Sequence, residues 1–303
     1  MENCSQIQIK SIEKASHTLK KLSAALLAFI MLFAAACKFG DIDFDVTKAP
    51  QQQTQEPTQE PAHEKTAEDE AFEAVDREVF ISVVTSSGLT FHQFVKDAAS
   101  FGIAEEDIER GWGELSQEAD AADFAENAEI RKKLSEIDRS QLSYRNRIAY
   151  DNLVLNLKLS DEIHAVPDAY YYNEPLTVFN GEHTMLPLML SMYEISSAED
   201  AENYVLLLED APRYIGQIEQ FEREKAAKGL FMTENALNKV LESCIKFAET
   251  GNDCFLIGFF EDEMASAEFE ISEQQKTALL ERSRNSIINE LLPAYRSLAN
   301  TLE

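Results

Sequence analysis

Glycine and proline are scarce in this sequence, with 10 glycines and 8 prolines among 303 residues. Both residues interrupt helices, so their scarcity leaves room for long uninterrupted ones. Apolar residues recur at helical spacing in much of the chain, as Phe72, Val75 and Val79 do. This periodicity predicts a mostly α fold, specifically an irregular multi-helix bundle.

The sequence also lacks an apolar run as long as the roughly 20 residues that a membrane-spanning helix needs. The run 22–36 has fifteen residues, contains Ser23, follows a lysine-bearing segment and ends in Ala34-Ala35-Ala36-Cys37. This order is typical of a bacterial lipoprotein signal peptide, which would be removed as residues 1–36 and leave Cys37 to carry the lipid. The alternative is an uncleaved anchor helix with an incidental cysteine.

Positive charge is in short supply, since 27 basic residues face 55 acidic ones and the net charge is −28. Such a surface repels nucleic-acid phosphates and anionic headgroups, so we expect no nucleic-acid partner and a membrane link through the N-terminal lipid alone. These features predict a lipid-anchored protein on the extracytoplasmic side of the cell membrane. The acidity either favours cationic peptides as ligands or simply keeps the surface soluble.

Composition divides the chain into three parts. Residues 37–69 carry Pro50, Pro57 and Pro61 among Gln, Thr and Glu, which predicts a disordered tether. Residues 70–303 form the predicted helical domain. One stretch of this domain differs, because three consecutive tyrosines at 170–172 have strand propensity. We therefore expect a short extended or hairpin segment near 168–180.

Two cysteines of the predicted domain, Cys244 and Cys254, have two interpretations. Export to an oxidising compartment would favour a disulfide between them. Cys244 also continues the apolar stripe of Leu237 and Leu241, so it can equally be a small core residue.

The apolar pattern makes three further predictions about helices. Residues 142–163 should form one helix whose buried stripe contains Ile148, Leu155, Leu159 and Ile163. Residues 201–208 and 212–228 should form two helices, with Pro212 in the first turn of the second and Gly229 ending it. Thr233 and Ser272 should each cap the start of a later helix.

The last predicted helix should bend at Pro293. Its apolar stripe of Tyr295, Leu298 and Leu302 continues almost to the end of the chain. That stripe either packs on its own domain or awaits a partner.

Three segments resemble a known family. They are FISVVTSSGLTFHQFVKDAASFGI at 80–103, YYYNEPLTVFNGEHTMLPLMLSMY at 170–193 and FEREKAAKGLFMTENALNKVLESCIKF at 221–247. Their order and spacing resemble the N-terminal half of the domain-of-unknown-function 885 (DUF885) family. The resemblance implies a helical lipoprotein that is similar to zinc metallopeptidases. In that family the metal-binding motif lies in the C-terminal half of the protein, and this chain resembles only the N-terminal half.

The histidines give no metal motif of their own. A zinc helix would place a second histidine four residues after the first, with a glutamate between them. Only His63 is followed by a glutamate, Glu64, and the position for the second histidine holds Ala67. We therefore predict no catalytic residue, no metal ligand and no cofactor in this chain.

The irregular stretch supplies the candidate ligand-contacting residues, namely Tyr171, Tyr172 and His183. The competing interpretation is that the tyrosines are core residues and the histidine belongs to a solvated loop.

Three functions remain open at this point. The first is a membrane-anchored front half of a peptidase-like protein that is not catalytic by itself. Such a half is either truncated or paired with a separate C-terminal peptidase-like half. The second is a surface lipoprotein module that binds peptides or glycans. The third is an autonomous hydrolase that uses carboxylates.

Overall fold

The computed structural model describes residues 64–303. The predicted signal segment, the predicted lipidation site Cys37 and most of the predicted tether lie outside these residues. All regular structure within 64–303 is helical, with no strand, which confirms the mostly α prediction. Within the same range, no helix combines the length and apolar character needed to cross a bilayer.

The α-helices follow one another along the chain as α1 (Ala67–Thr85), α2 (Gly88–Phe94), α3 (Gln117–Ser135), α4 (Tyr144–His164), α5 (Glu182–Ser191), α6 (Ala198–Ala227), α7 (Glu234–Ala248), α8 (Phe255–Ser266), α9 (Glu273–Ser286) and α10 (Leu292–Leu302). Many of these helices begin at a residue whose side chain caps the first turn. Thr233 accepts a hydrogen bond from the Ala236 amide, and Ser272 forms a capping box with Gln275, as their positions in the sequence predict.

Apolar side chains gather into a large core, a smaller core and a third, minor cluster of Val84, Val95 and Ile103. The large one is built by helices α5 to α10, with the fully buried Leu186, Tyr204, Ile215, Phe260 and Tyr295 among its members. The smaller one joins α1, α3 and α4 through residues such as Phe72, Ile130 and Leu157. Helix α6 contacts α9 and α10, so it forms the axis of the larger group.

The prediction of an extended or hairpin segment near 168–180 is wrong. Ala169–Tyr172 is a short 3-10 helix, and a loop with a turn follows it up to α5. The rings of Tyr170 and Tyr171 both lie against Phe221 of α6, with centroids 5.1 and 5.7 Å away. Packing on one helix therefore overrides the strand propensity of these tyrosines.

The two helices expected at 201–208 and 212–228 are a single helix, α6, with Pro212 in its interior. Proline removes one helical hydrogen bond and crowds the preceding turn. The neighbouring Leu207, Leu208, Ala211 and Ile215 are all buried in the large core, and this packing keeps the helix continuous. Gly229 ends α6 as predicted, with φ at 72°.

Helix α4 buries a different face from the predicted one. Of the four predicted residues, Ile148 and Leu155 are exposed and Leu159 and Ile163 are only partly buried. Leu157 is buried instead, and Leu153 packs beside it in the smaller core. The helix has apolar residues on two sides, and periodicity alone does not say which side its neighbours cover.

The C-terminal stripe of α10 packs on its own domain, because Tyr295, Leu298 and Leu302 are buried against α6 and α7. The regular helix is interrupted close to Pro293 by a π-helical turn over Ile287–Leu291. Such a turn accommodates the hydrogen bond that the proline removes.

Cys244 and Cys254 are both free and buried, so the disulfide alternative is wrong and the core interpretation of Cys244 is confirmed. Burial raises the pKa of the Cys244 thiol to about 12. Such a thiol stays protonated and inert.

Candidate functional site

Tyr171 joins the 3-10 turn to helix α6. Its hydroxyl donates to a carboxylate oxygen of Glu224 at 2.8 Å, and Gln117 at the start of α3 also contacts that hydroxyl. The ammonium of Lys228 lies 4.8 Å from the centre of the ring. Burial, reinforced by the Glu224 carboxylate, raises the pKa of Tyr171 to about 12. This geometry is that of a core contact, as expected for at least one of the tyrosines.

The other two candidate residues occupy different settings. Tyr172 is half-buried, at the end of the same 3-10 turn. His183 lies in the first turn of α5 and is buried, so the solvated-loop interpretation of this histidine is wrong. Ligand contact by Tyr171, Tyr172 and His183 stays a prediction, and for the two buried residues it requires the loop before α5 to open.

His183 is a junction between α5 and α10. Neither ring nitrogen has a hydrogen-bond partner, and burial lowers the pKa of the imidazole to about 4. The backbone carbonyl of His183 accepts a hydrogen bond from the hydroxyl of Tyr295 at 2.9 Å. Pro187, four residues further along α5, has no N–H to give that carbonyl. Tyr295 therefore supplies the hydrogen bond that the proline removes.

Gly181 makes this junction possible. A Cβ at this position would lie 2.4 Å from the Thr177 backbone nitrogen and 2.8 Å from Nδ1 of His183. Both distances are shorter than any normal van der Waals contact, so only glycine fits where the loop meets α5.

The remaining histidines of the described residues have structural contacts. His92 stacks on Tyr193 with ring centroids 3.8 Å apart. His164 lies on Phe124 and its Nε2 is 3.2 Å from Asp120. Within residues 64–303, no three His, Cys, Asp or Glu side chains are grouped closely enough to hold a metal ion.

The outer face of α4 is the main apolar surface that was predicted to be buried but is exposed. Tyr144, Ile148 and Leu155 follow one side of the helix and are 61%, 46% and 53% exposed. The opposite side of α4 packs against α1 and α3. A helix with apolar side chains on its outer face usually contacts another surface. The signal was present in the sequence as a second apolar stripe on this helix.

Exposed apolar side chains also occur in α5 and immediately before and after it. Phe179, in the loop before the helix, is 91% exposed, and Met192 just beyond its last residue is 70% exposed. Leu188 lies between them in sequence and is also exposed. Flexible methionine and an unanchored aromatic ring are common at surfaces that bind peptides.

One known protein family matches most of the described residues. The profile of a family described as "Bacterial protein of unknown function (DUF885)" matches residues 96–303, more than two thirds of the chain. The chain belongs to the DUF885 family. No functionally curated protein matches this DUF885 member.

A solved structure shares the fold. It is described as "the putative lipoprotein from Colwellia psychrerythraea" and superposes with a TM-score of 0.56 at 15% sequence identity. The match covers 78% of this chain and 40% of the Colwellia protein. This DUF885 member therefore spans about two fifths of the structure that it resembles.

Proposed function

We propose that the protein is a lipoprotein held at the extracytoplasmic face of the membrane through Cys37. Its helical body acts as the docking half of a peptidase-like assembly and is not catalytic by itself. The signal-like order of residues 1–37 and the description of the Colwellia protein support the lipid anchor. The resemblance to the front half of metallopeptidase-like proteins supports the pairing.

The observation that carries the docking role is the outer face of α4. Full burial of a side chain such as Leu or Ile contributes about 1.5–3 kcal/mol. Tyr144, Ile148 and Leu155 each keep about half of their surface exposed. Covering all three would contribute roughly 3 kcal/mol, which is roughly a hundredfold in affinity. The occupant we propose is an apolar surface of a second, peptidase-like half that corresponds to the remainder of the Colwellia structure.

The experiment places a photoreactive benzoylphenylalanine at position 155 in cells that produce the protein. The matched control carries the same group at Glu281, an exposed residue of α9. We expect a crosslink from position 155, and not from 281, to a polypeptide that carries a histidine–glutamate–two-residue–histidine motif. No crosslink, equal crosslinks from both positions or a partner without that motif would contradict the proposal.

A peptide- or glycan-binding module is the second candidate, and the exposure of Phe179, Leu188 and Met192 favours it. An aromatic side chain and flexible apolar neighbours can receive a peptide side chain or the apolar face of a sugar. In this function α5 would be the binding element and the outer face of α4 would play no part.

A further inference from the structure

A cavity of about 340 Å³ opens between the last turns of α6 and α10. It is lined by Glu222, Arg223, Ala226, Phe231, Thr301 and Leu302. Its volume is at the lower end of the range for small-molecule sites, roughly 300–1,000 Å³, and it is open to solvent on one side.

The end of α6 shapes one wall. The Gly229 amide donates to the Ala226 carbonyl at 2.9 Å, and the Leu230 amide donates to the Lys225 carbonyl at 3.1 Å. These two hydrogen bonds define a Schellman turn, which reverses the chain at the end of a helix. The turn returns Phe231 to the cavity wall, where its ring is partly exposed.

Glu222 is the unusual member of the lining. It is only 2% exposed, and neither carboxylate oxygen has a hydrogen-bond partner. A buried carboxylate without a partner is destabilising unless it is neutralised or paired. Burial accordingly raises the pKa of Glu222, with a further upward contribution from Glu174 and a downward one from Lys225.

The two cations nearest in sequence are engaged elsewhere. Lys225 donates to the backbone carbonyl of Asn173 at 2.8 Å. Arg223 donates to Glu219 at 2.6 Å and to the Thr301 hydroxyl at 2.8 Å. Neither forms a hydrogen bond with Glu222, so the cavity wall contains a carboxylate that no cation contacts directly.

We propose that this cavity binds a primary alkylammonium ion, the group found on a lysine side chain or a peptide N-terminus, with Glu222 as its counter-ion. The charged nitrogen pairs with the carboxylate, and the alkyl chain lies against Ala226, Phe231 and Leu302. The aromatic face of Phe231 adds a favourable cation–π contact. Both oxygens of Glu222 are covered in this structure, so binding requires a rotation of its side chain towards the cavity.

The lining favours an organic cation over a metal ion. Calcium takes six to eight oxygen ligands and magnesium takes six. Among the lining side chains only Glu222 and Thr301 carry oxygens, and the Thr301 hydroxyl already contacts Glu219 and Arg223. The site does not depend on the docking role proposed for α4, and its test leaves that role untouched.

The probe is n-butylammonium chloride, titrated calorimetrically into the mature chain at constant ionic strength, with n-butanol as the uncharged comparison. We expect saturable binding of the ammonium and none of the alcohol. Glu222→Gln should weaken binding about tenfold or more, because the charge-assisted contact is lost. Glu281→Gln, which removes an exposed carboxylate from α9, should bind as the unmodified chain does.

Ala226→Trp provides a second variant, because Ala226 is an exposed residue of the cavity wall and a large side chain there should block entry. Its thermal unfolding midpoint should be unchanged while binding is lost, so the test remains decisive even if Glu222→Gln fails to fold. Equal binding by Glu222→Gln and the unmodified chain would overturn the proposal. Absence of saturable binding to the unmodified chain, or undiminished binding to Ala226→Trp, would do the same.

Discussion

The hydrogen bond from Tyr295 to the His183 carbonyl should be a measurable part of the free energy of unfolding. Tyr295→Phe removes the hydroxyl alone and leaves a buried carbonyl that Pro187 cannot serve. Leaving a buried acceptor without a partner costs about 1–3 kcal/mol. In a domain of this size each kcal/mol lowers the unfolding midpoint by about 2–4 °C.

Tyr204→Phe is the matched control. Tyr204 is as deeply buried as Tyr295, but its hydroxyl has no hydrogen-bond partner. Removing that hydroxyl should leave the free energy of unfolding unchanged or raise it, since a buried polar group without a partner is removed. Urea unfolding followed by circular dichroism would measure both variants.

A second background isolates the role of Pro187. In Pro187→Ala the new amide can donate to the His183 carbonyl, so Tyr295→Phe should destabilise this background less than it destabilises the original chain. An equal loss in both backgrounds would refute the idea that Tyr295 compensates for the proline. A negligible loss in the original chain would refute the hydrogen bond's contribution altogether.

Four further outcomes are expected. Cys37→Ser should abolish metabolic labelling with a fatty acid, and a wild-type chain that takes up no label would contradict the lipid anchor. Tyr171→Ala should lower the unfolding midpoint much more than Tyr172→Ala, because Tyr171 is buried and Tyr172 half-exposed; equal effects would argue against Tyr171 as a core residue. Phe179→Ala should reduce retention of peptides or glycans on an array without changing the midpoint if α5 is the binding element, and unchanged retention would remove the second candidate function. The pKa of His183 is about 4 in the folded state and about 6.5 when unfolded. Its contribution to stability is therefore constant above about pH 6.5 and is lost as the pH falls towards 4; His183→Phe should flatten this part of the stability curve, and an unchanged slope would show that other groups cause it.

Local signals in the sequence predicted helix ends well. Thr233 and Ser272 cap their helices and Gly229 stops α6, because each acts on backbone groups within a few residues. The prediction that Pro212 begins a helix was wrong, because its position depends on distant packing and not on its sequence neighbours. Its local preference is for a first turn, but the burial of flanking residues in the large core outweighs that preference.

Side-chain surroundings were harder to predict than helices. Helix α4 carries two apolar stripes, and only the positions of α1 and α3 decide which one is buried. The hydrogen bond between Tyr295 and His183 joins residues 112 positions apart, so no local pattern announces it. Glu222 reads in sequence as one glutamate of a charged helix end, and its burial follows from how α6 and α10 pack.

Folding protects the two buried thiols from oxidation. Cys244 and Cys254 are shielded while α7 and the start of α8 stay packed, and the Cys244 thiol is held far from its reactive thiolate form. Any opening of this region returns both thiols towards their ordinary reactivity, with only nine residues between them in the chain. Under oxidising conditions a bridge formed at that moment would trap the opened chain, since the packed structure holds these cysteines unbridged. The lifetime of the protein in such an environment is then set by how often this region opens, and the rate of thiol labelling would read that frequency directly.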